Sequence, residues 1–499
     1  MTQHYDVLII GAGLSGIGAA CHLAQACPTK NVGIIERRNA IGGTWDLFRY
    51  PGIRSDTDMF CFGFEFRPWQ QLKVMGDGPV IRQYIADTAR EYGVDKKIQF
   101  GLKMTHAQWS SSEQCWTVRA LHEASGETRV YRTRVLLGAT GYYNYDQGYL
   151  PSFPGEDRFK GQRIHPQHWP EHLDYRGKKV VVIGSGATAV TLVPSMSIGG
   201  AGHVTMLQRS PSYIFSIPNW DKLSEVLKKV LPARWVFAMA RKRNILIQRA
   251  LYLASMRWPQ AMRKFLLNGV KKQLGEGYDM SHFTPRYMPW EERLCAVPDA
   301  DLFAEIRKGR VDVVTDHIET FTETGIQLKS GKHLDADIIV TATGLQVQLF
   351  GGAEVSIDGH VAPPSSVMTY KAVLLQNVPN MAFIVGYTNA PWTLKADIAC
   401  KYVCRLLNHM DAKGYAVVTP RAPEGMVEAD QTILGSLSSG YVRRAADQLP
   451  RQGGEQPWRV LHHYGRDKRM LLDDPIEDRY LEFTPAQAAG GTGPLKVAA

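Results

Sequence analysis

Two stretches of the sequence show the same order of apolar, glycine-rich and helix-forming segments. An apolar run at residues 7–10 leads into the letters GAGLSG, and a second run at residues 180–183 leads into GSGATA. Small and apolar residues follow each loop over the length of a helix. A strand, a glycine turn and a helix in this order are typical of a doubly wound α/β unit. The pattern therefore predicts an α/β fold with two Rossmann-like, dinucleotide-binding domains.

Two more apolar runs, at residues 135–137 and 338–340, lead into short segments with the letters GATG and TATG. Such segments are typical of crossovers between two dinucleotide-binding domains. They predict one domain that is interrupted by a second. The expected parts are a first domain at 1–145, an inserted domain at 146–345 with a helical insertion at about 216–290, the completion of the first domain at 346–485, and a disordered tail at 486–499 that is rich in Ala and Gly.

The first glycine loop carries Gly11, Gly13 and Gly16. These glycines allow a tight turn, a close approach of the backbone to a pyrophosphate, and close packing of helix on strand. Glu36 ends the next apolar run, 20 residues after the third glycine. A carboxylate at this position accepts hydrogen bonds from the ribose hydroxyls of an adenosine without a 2′-phosphate. The loop therefore predicts FAD in the first domain.

The second loop has the same form and carries the predicted cofactor-binding residues Gly184, Gly186, Thr188 and Ala189. Arg209 follows its first glycine by 25 residues, the spacing that separates Glu36 from the first glycine of the other loop. An acid has thus become a base at the same topological position. A guanidinium binds a ribose 2′-phosphate that a carboxylate would repel. This predicts NADPH. The alternative is that Arg209 is an ordinary exposed arginine at the end of a strand, with no role in cofactor binding.

Composition limits the class of protein. With 499 residues, 44% of them apolar, the chain is long enough for two or three domains. The N-terminus resembles no secretion signal, and no apolar run reaches the roughly 18 residues of a membrane span. The seven cysteines are scattered and contain no C-x-x-C, which predicts neither disulfides nor a metal site and disfavours a disulfide reductase. We expect a cytoplasmic protein.

The net charge of +10 comes from one segment. Between residues 221 and 272 there are thirteen Lys and Arg against two acids, a net charge of +11. The rest of the chain is near neutral, so the charge does not indicate nucleic-acid binding. Apolar and aromatic residues alternate with the bases, which predicts helices with an apolar stripe and a basic face. Such a face is either simply solvated or touches an anionic membrane surface peripherally.

Two sequence motifs carry a family resemblance. The letters FKGQRIHPQHWP fit F-x-G-x-x-x-H-x-x-x-W-P through Phe159, Gly161, His165, Trp169 and Pro170. The letters GGTWDLFRYPGIRSD fit a second pattern, [AG]-G-x-W-x(4)-[FY]-P-[GM]-x(3)-D, which includes Gly43, Trp45, Tyr50 and Asp56. Both patterns resemble those of Baeyer-Villiger monooxygenases, and the likeness extends over nearly the whole chain.

The resemblance implies an FAD- and NADPH-dependent monooxygenase that converts ketones into esters or lactones through a C4a-peroxyflavin, with oxidation of sulfides or thiocarbonyls as a side activity. Arg293 matches the arginine that stabilises negative charge beside the flavin, and Asp56 matches its partner. By the same resemblance Gly43, Trp45 and Asp56 belong to the FAD site. Many relatives have a lysine about two residues before this arginine. This sequence departs from them, because Glu291 and Glu292 occupy that stretch.

The resemblance gives the linker Phe159, Gly161, His165 and Trp169 a structural or hinge role rather than one in bond making. Near the C-terminus, the letters GYTNAPWTLKAD resemble a strand, turn and helix that close over the flavin, where Trp392, Thr393 and Lys395 either line the pocket or cap the helix. The alternative functions are an NADPH oxidase or reductase, a monooxygenase that oxidises heteroatoms only, and a flavin-bearing, membrane-associated binding protein that only the basic helices suggest.

Overall fold

The computed structural model describes residues 2–292, 294–426, 428–435 and 440–487. The predicted tail at 486–499 lies outside these ranges except for its first two residues.

The strands are given in chain order. They are β1 (Gln3–Ile10), β2 (Val32–Ile35), β3 (Ile98–Gln99), β4 (Leu102–Ser110), β5 (Cys115–His122), β6 (Thr128–Gly138), β7 (Tyr143–Gly148), β8 (Gln162–Ile164), β9 (Lys179–Ile183), β10 (His203–Gln208), β11 (Ile214–Ile217), β12 (Cys295–Pro298), β13 (Val311–Thr315), β14 (Ile318–Phe321), β15 (Gly325–Leu328), β16 (His333–Asp335), β17 (Ile338–Thr341), β18 (Leu345–Val347), β19 (Glu354–Ile357), β20 (His360–Val361), β21 (Thr369–Tyr370), β22 (Leu374–Leu375), β23 (Met381–Phe383), β24 (Tyr415–Pro420), β25 (Glu428–Thr432), β26 (Arg451–Gly453) and β27 (Leu481–Pro485).

The α-helices follow the same numbering by chain order. They are α1 (Leu14–Ala26), α2 (Thr44–Leu47), α3 (Met59–Phe62), α4 (Gly78–Glu91), α5 (Ala187–Ile198), α6 (Lys222–Leu227), α7 (Ala233–Arg257), α8 (Pro259–Leu274), α9 (Asp301–Arg307), α10 (Trp392–Lys413), α11 (Gly440–Arg444) and α12 (Tyr464–Lys468).

The larger sheet is built around β1. This strand pairs in parallel with β2 on one side and with β6 on the other. Successive side chains of a strand point to opposite faces, and accordingly Val7 and Ile9 enter one core while Leu8 and Ile10 enter the other. Helices α1 and α10 contribute to the first core, and β4 and β5 to the second. Strand β23, from the C-terminal part of the chain, pairs with β6 and so completes this sheet.

The second sheet is parallel throughout, in the order β13-β10-β9-β17-β8. Helices α5 and α9 cover one of its faces, and the antiparallel strands β14 to β16 contribute to the core on the other. The predicted α/β fold with two Rossmann-like domains and a helical insertion is confirmed. The exact domain boundaries remain a prediction. The parts of the chain that supply strands to each of the two sheets support it.

The two crossovers pair with each other. Strand β7 leaves the first sheet and β18 returns to it, and the two are antiparallel neighbours. His165 contacts both crossovers, because its ring packs on Gly148 while Nε2 lies 3.2 Å from the carbonyl oxygen of Gly344. Nδ1 accepts a hydrogen bond from the backbone N–H of Gln167. Burial lowers the pKa of His165, so the ring is held in its neutral form. This environment supports the structural role expected for the linker histidine.

Gly161 of the linker is required by close packing. Its φ is not in the left-handed region, but a Cβ there would lie 2.3 Å from the carbonyl oxygen of Asp337. Glycine is therefore required at 161 by close packing, and not by the backbone conformation. Phe159 packs edge to face on Phe321, and half-buried Trp169 packs on the core of the second sheet. These linker contacts are all consistent with an anchoring role.

The helical insertion comprises α6, α7 and α8. Helix α8 packs on α9 and β11 of the second unit, while α7 packs on α3 of the first. Phe237 of α7 meets Phe60 of α3 with ring centroids 5.7 Å apart. The insertion thus bridges the two units.

Candidate functional site

A cavity of about 1440 Å³ lies where the carboxyl ends of the two sheets face each other. Its wall includes Ile10 at the end of β1 and Ile183 at the end of β9, together with parts of both glycine loops. The carboxyl ends of parallel strands are where α/β proteins bind ligands. The two loops that the sequence singles out therefore open into one shared space.

The first loop brings backbone close to this space. Gly11 has φ +109, and a Cβ there would lie 2.6 Å from the carbonyl oxygen of Ala139. Gly13 and Gly43 stand opposite each other, so closely that a Cβ on Gly43 would be 3.0 Å from the Cα of Gly13. Gly13 is also the N-cap of α1 and has no side-chain hydrogen bond to the helix. The uncapped N–H groups and the helix dipole make this end of the cavity suitable for a phosphate.

Glu36 is the first residue after β2 and lines the cavity. Its Oε2 accepts a hydrogen bond from the N–H of Ala12 at 2.6 Å, and Oε1 accepts one from the N–H of Arg38 at 2.7 Å. Burial raises the pKa of Glu36, and these two N–H groups oppose that change. The carboxylate is therefore held in one orientation, with its remaining lone pairs available to a ligand.

The second loop repeats this arrangement. Gly184 has φ +144, and a Cβ there would lie 2.4 Å from the carbonyl oxygen of Ala342. Gly186 is the N-cap of α5, again without a side-chain hydrogen bond, and a Cβ there would meet no atom within 4 Å. Since Gly186 and Thr188 line the cavity, any side chain at 186 would project into it. Glycine is thus selected here by the space that a ligand needs.

Arg209 follows β10 directly, as Glu36 follows β2. Strand β10 neighbours β9 in the same way that β2 neighbours β1, so the two residues occupy equivalent positions in the two units. Both line the cavity.

Two other predicted residues, Gly16 and Ala189, lie behind the loops. A Cβ on Gly16 would be 1.8 Å from the carbonyl oxygen of Gly11, and Ala189 is fully buried. They pack helix against strand.

The residues of the second motif also reach the cavity. Gly43, Trp45, Tyr50 and Asp56 line it, and Asp56 is exposed. Trp45 meets Phe62 edge to face. The predicted catalytic residue, Arg293, lies outside the described residues. Its neighbours in sequence, Glu292 and Leu294, both line the cavity.

Sequence reasoning missed Arg54, a mostly buried cation in the cavity wall. Its Nη1 donates to Oδ2 of Asp301 at 2.7 Å. Within the described part of the chain, Nε and Nη2 of Arg54 are buried and have no hydrogen-bond partner. The residue stands at an unspecified position of the second motif, two residues before Asp56, and that closeness was its only sequence signal. Its Nε and Nη2 therefore have N–H groups to donate to an anion.

Of the three residues singled out in the C-terminal segment, only Trp392 takes one of the expected roles, and none of them caps the helix α10. Trp392 lines the cavity, donates its Nε1 hydrogen to Oγ of Ser15 at 2.8 Å and stacks on Tyr142 with centroids 5.3 Å apart. Thr393 donates instead to the carbonyl of Phe62. Lys395 is buried away from the cavity wall, with Nζ 3.7 Å from Oδ1 of Asp467, and burial lowers the pKa of Lys395.

The chain matches the family model described as flavin-binding monooxygenase-like over residues 4–390. It is 60% identical over 489 residues to the FAD-containing monooxygenase MymA of Mycobacterium tuberculosis, covering 97% of this chain and 99% of MymA. It is 53% identical over 483 residues to the FAD-binding monooxygenase AlmA of Acinetobacter baylyi, covering 97% of both chains. EthA of Mycobacterium tuberculosis, a FAD-containing monooxygenase, is 51% identical over 492 residues, with 98% and 100% covered.

Solved structures share the fold at lower identity. A steroid monooxygenase bound to NADP superposes with a TM-score of 0.76 at 20% identity, covering 97% of this chain and 100% of that one. An open structure of cyclohexanone monooxygenase superposes with a TM-score of 0.68 at 22% identity, covering 85% and 91%. At these identities the likeness concerns the fold.

The ion pair between Arg54 and Asp301 gives a stability prediction. Burial raises the pKa of Asp301, and Arg54 opposes this. Arg54→Leu leaves the carboxylate unpaired, which we expect to lower the free energy of unfolding by about 2–4 kcal/mol at pH 7. Without Arg54 the folded-state pKa of Asp301 rises further above its unfolded value, so the variant loses stability as pH rises through that range. The difference in the free energy of unfolding between wild type and variant should therefore shrink as pH falls towards about 4.

Urea unfolding at pH 7 and pH 5 measures this effect. The matched control is Arg176→Leu, because Arg176 pairs with Asp174 at the surface. Its removal should leave the free energy of unfolding unchanged at either pH, because both partners are fully exposed to solvent. An Arg54→Leu deficit that is independent of pH would contradict the assigned role of the pair.

Proposed function

Because the chain belongs to the flavin-binding monooxygenase-like family, we propose that it is an FAD- and NADPH-dependent Baeyer-Villiger monooxygenase that inserts oxygen into ketones to give esters or lactones. The net reaction consumes a ketone, O₂, NADPH and a proton, and yields the ester, water and NADP⁺. The observation that carries the proposal is the single cavity shared by two dinucleotide loops, with Glu36 after one strand and Arg209 after the equivalent strand.

The first loop and its surroundings fit FAD. Gly11 and Gly13 let the pyrophosphate approach the N-terminus of α1, and Gly43 leaves room on the opposite side. Glu36 accepts the hydroxyl hydrogens of the adenosine ribose. Trp45 provides an aromatic wall in the same cavity. The curated relatives named above as FAD monooxygenases support this choice of cofactor. Bound FAD, once reduced by NADPH, supplies the activation of molecular oxygen.

The second loop fits NADPH. Gly184 and Gly186 admit its pyrophosphate at the N-terminus of α5, and Thr188 lies in the first turn of that helix. Arg209 pairs with the 2′-phosphate, which distinguishes NADPH from NADH. Glu292 also lines the cavity; burial raises the pKa of Glu292, while Arg209 and Arg443 oppose that change. A carboxyl group with a raised pKa takes up a proton more readily, and this lowers its repulsion of a nearby phosphate.

Arg293 is the proposed electrostatic catalyst. Negative charge develops on oxygen as the ketone carbonyl is attacked, and a guanidinium held beside that oxygen would stabilise the charge. Asp56 is proposed to orient Arg293. Arg54 lies in the cavity wall, as does Asp56, and is already fixed by Asp301, so its N–H groups add positive potential without needing to reorganise.

The cavity wall also favours an apolar substrate. Trp45, Phe62, Tyr142 and Trp392 contribute aromatic surface near the first loop. Such a wall excludes water and binds a ketone or a thioether through its carbon skeleton. Oxidation of sulfides or thiocarbonyls is proposed as a side activity, because the same activated oxygen is electrophilic once protonated. A small-molecule substrate and molecular oxygen follow from membership of the monooxygenase family.

Arg209→Ala tests the assignment of NADPH. Loss of a charge-assisted contact to the 2′-phosphate should raise KM for NADPH about 10- to 100-fold and leave KM for NADH within about twofold. The preference for NADPH should therefore disappear. Steady-state oxidation of both nucleotides measures it, with Arg176→Ala as a control that removes an exposed arginine of the same unit. An unchanged preference in Arg209→Ala would refute the role of this residue.

Product analysis tests the reaction itself. We expect the FAD-loaded enzyme to convert members of a panel of cyclic, aryl and long-chain ketones into esters or lactones, with NADPH consumption matched to product. Arg293→Ala should lower ester formation by about 100-fold or more while flavin reduction by NADPH remains within a few-fold of wild type. Mass spectrometry of products, with hydrogen peroxide assayed in parallel, provides the measurement.

Two outcomes would favour the alternatives. Hydrogen peroxide without any oxygenated product would indicate an NADPH oxidase. Sulfoxides without esters would indicate a monooxygenase restricted to heteroatoms. Ester formation by Arg293→Ala at the wild-type rate would remove the proposed catalytic role from Arg293.

A further inference from the structure

The outward face of α7 carries an apolar stripe. Trp235, Met239, Leu246 and Leu253 are 57%, 48%, 64% and 49% exposed. Their spacings of four, seven and seven residues place them along one side of the helix. The stripe runs from Trp235 to Leu253, 18 residue steps apart, which is a length of about 27 Å at 1.5 Å per residue. A surface helix of a soluble protein normally turns such a side towards the core.

The inward face of α7 combines a few buried apolar residues, Val236, Phe237 and Ala240, with a set of polar contacts. Nη1 of Arg241 donates to the carbonyl oxygens of Phe60 and Gly63, at 3.0 and 2.7 Å. Asn244 and Gln248 donate to the two carboxylate oxygens of Asp58, at 2.9 and 2.7 Å. Asp58 itself caps α3. These directional bonds fix the rotation of α7 about its axis, so the apolar stripe is held outward by the contacts with the first unit.

Positive charge surrounds the stripe. Lys242, Arg249 and Arg257 are exposed and lie within the same side of the helix. Two further aromatic residues are exposed: Trp258, which lies between α7 and α8, and Phe265 of α8. The segment from 221 to 272 has a net charge of +11, and both of its acids are engaged. Asp221 is buried against Arg243 and Ser224, and Glu225 accepts a hydrogen bond from Trp220.

We propose that the apolar stripe of α7 docks the protein on the surface of an anionic lipid bilayer. Exposed Trp and aliphatic side chains beside Lys and Arg are typical of helices that lie in the membrane interface, where the apolar side enters the acyl boundary and the bases meet acidic headgroups. A second copy of the chain fits less well, because it would bring one strongly positive face against another. No helix in the described part of the chain can span a bilayer, so the contact is with the surface.

Helix α7 also borders the cavity, with a side other than the stripe. Ile247 and Leu251 line the cavity wall and are 49% and 44% exposed, and at 3.6 residues per turn they lie roughly 105° and 145° around the helix from the stripe. On the proposed function, docking holds the enzyme close to ketones or thioethers dissolved in the membrane. The docking itself does not depend on which reaction the enzyme catalyses.

Vesicle co-sedimentation tests the docking with the full-length, FAD-loaded protein. We expect binding to vesicles of phosphatidylcholine with phosphatidylglycerol, much weaker binding to phosphatidylcholine alone, and loss of binding as salt rises. Replacing both Leu246 and Leu253 by Glu should weaken binding to the anionic vesicles at least tenfold. The matched control replaces Ile198 and Val361, which are 65% and 55% exposed at other surfaces. That control, Ile198→Glu with Val361→Glu, should bind like wild type.

Three results would overturn the proposal. The first is that wild type does not bind anionic vesicles, and the second is that the Leu246→Glu, Leu253→Glu variant binds as well as wild type. The third is a change of oligomeric state in that variant, seen by sedimentation velocity, while vesicle binding is unchanged. That result would make the stripe a protein interface.

Oxygenation of a small, water-soluble ketone separates this proposal from the proposed function. The variant should retain that activity, which also shows that it is folded; its absence in wild type would count against the proposed function alone.

Discussion

The architecture depends on how closely backbone can approach a ligand at the ends of two parallel strands. Glycine at positions 11, 13, 184 and 186 removes the Cβ atoms that would clash with neighbouring carbonyls or fill the cavity. Each loop leads into a helix whose first N–H groups have no side-chain cap, so each presents a positive helix end to the same space. The charge of the residue after the neighbouring strand, Glu36 or Arg209, then differentiates the two ligands.

The two loops form one site only because the two units are held face to face. The crossover strands β7 and β18 pair with each other, and His165 contacts both. A second tie is made by α7, whose Arg241 reaches the carbonyls of α3 in the first unit. The same bonds turn the apolar side of α7 outward. The proposed membrane contact is thus a consequence of how the insertion is fastened to the first unit.

Local patterns predicted the parts of the structure that depend on short stretches of chain. The strands before both loops, the position of Glu36 and Arg209 after a strand, and the helical insertion follow from spacing within a few dozen residues. The pairing of Arg54 with Asp301 joins residues 247 positions apart, and no local pattern indicates it. The sequence also did not indicate which side of α7 faces outward. Periodicity places the apolar residues on one side of the helix, but it does not show which side packs against the rest of the protein.

The most direct test of the account is flavin reduction in a Gly186→Val variant. A side chain at 186 would project into the part of the cavity assigned to NADPH, far in sequence from the FAD loop. Rapid mixing under anaerobic conditions should show that wild type bleaches its flavin absorbance with NADPH, while the variant keeps a full complement of FAD but is reduced at least tenfold more slowly at the same NADPH concentration. Reduction of Gly186→Val at the wild-type rate and with the wild-type dependence on NADPH would contradict the claim that the second loop holds the reductant in the shared cavity.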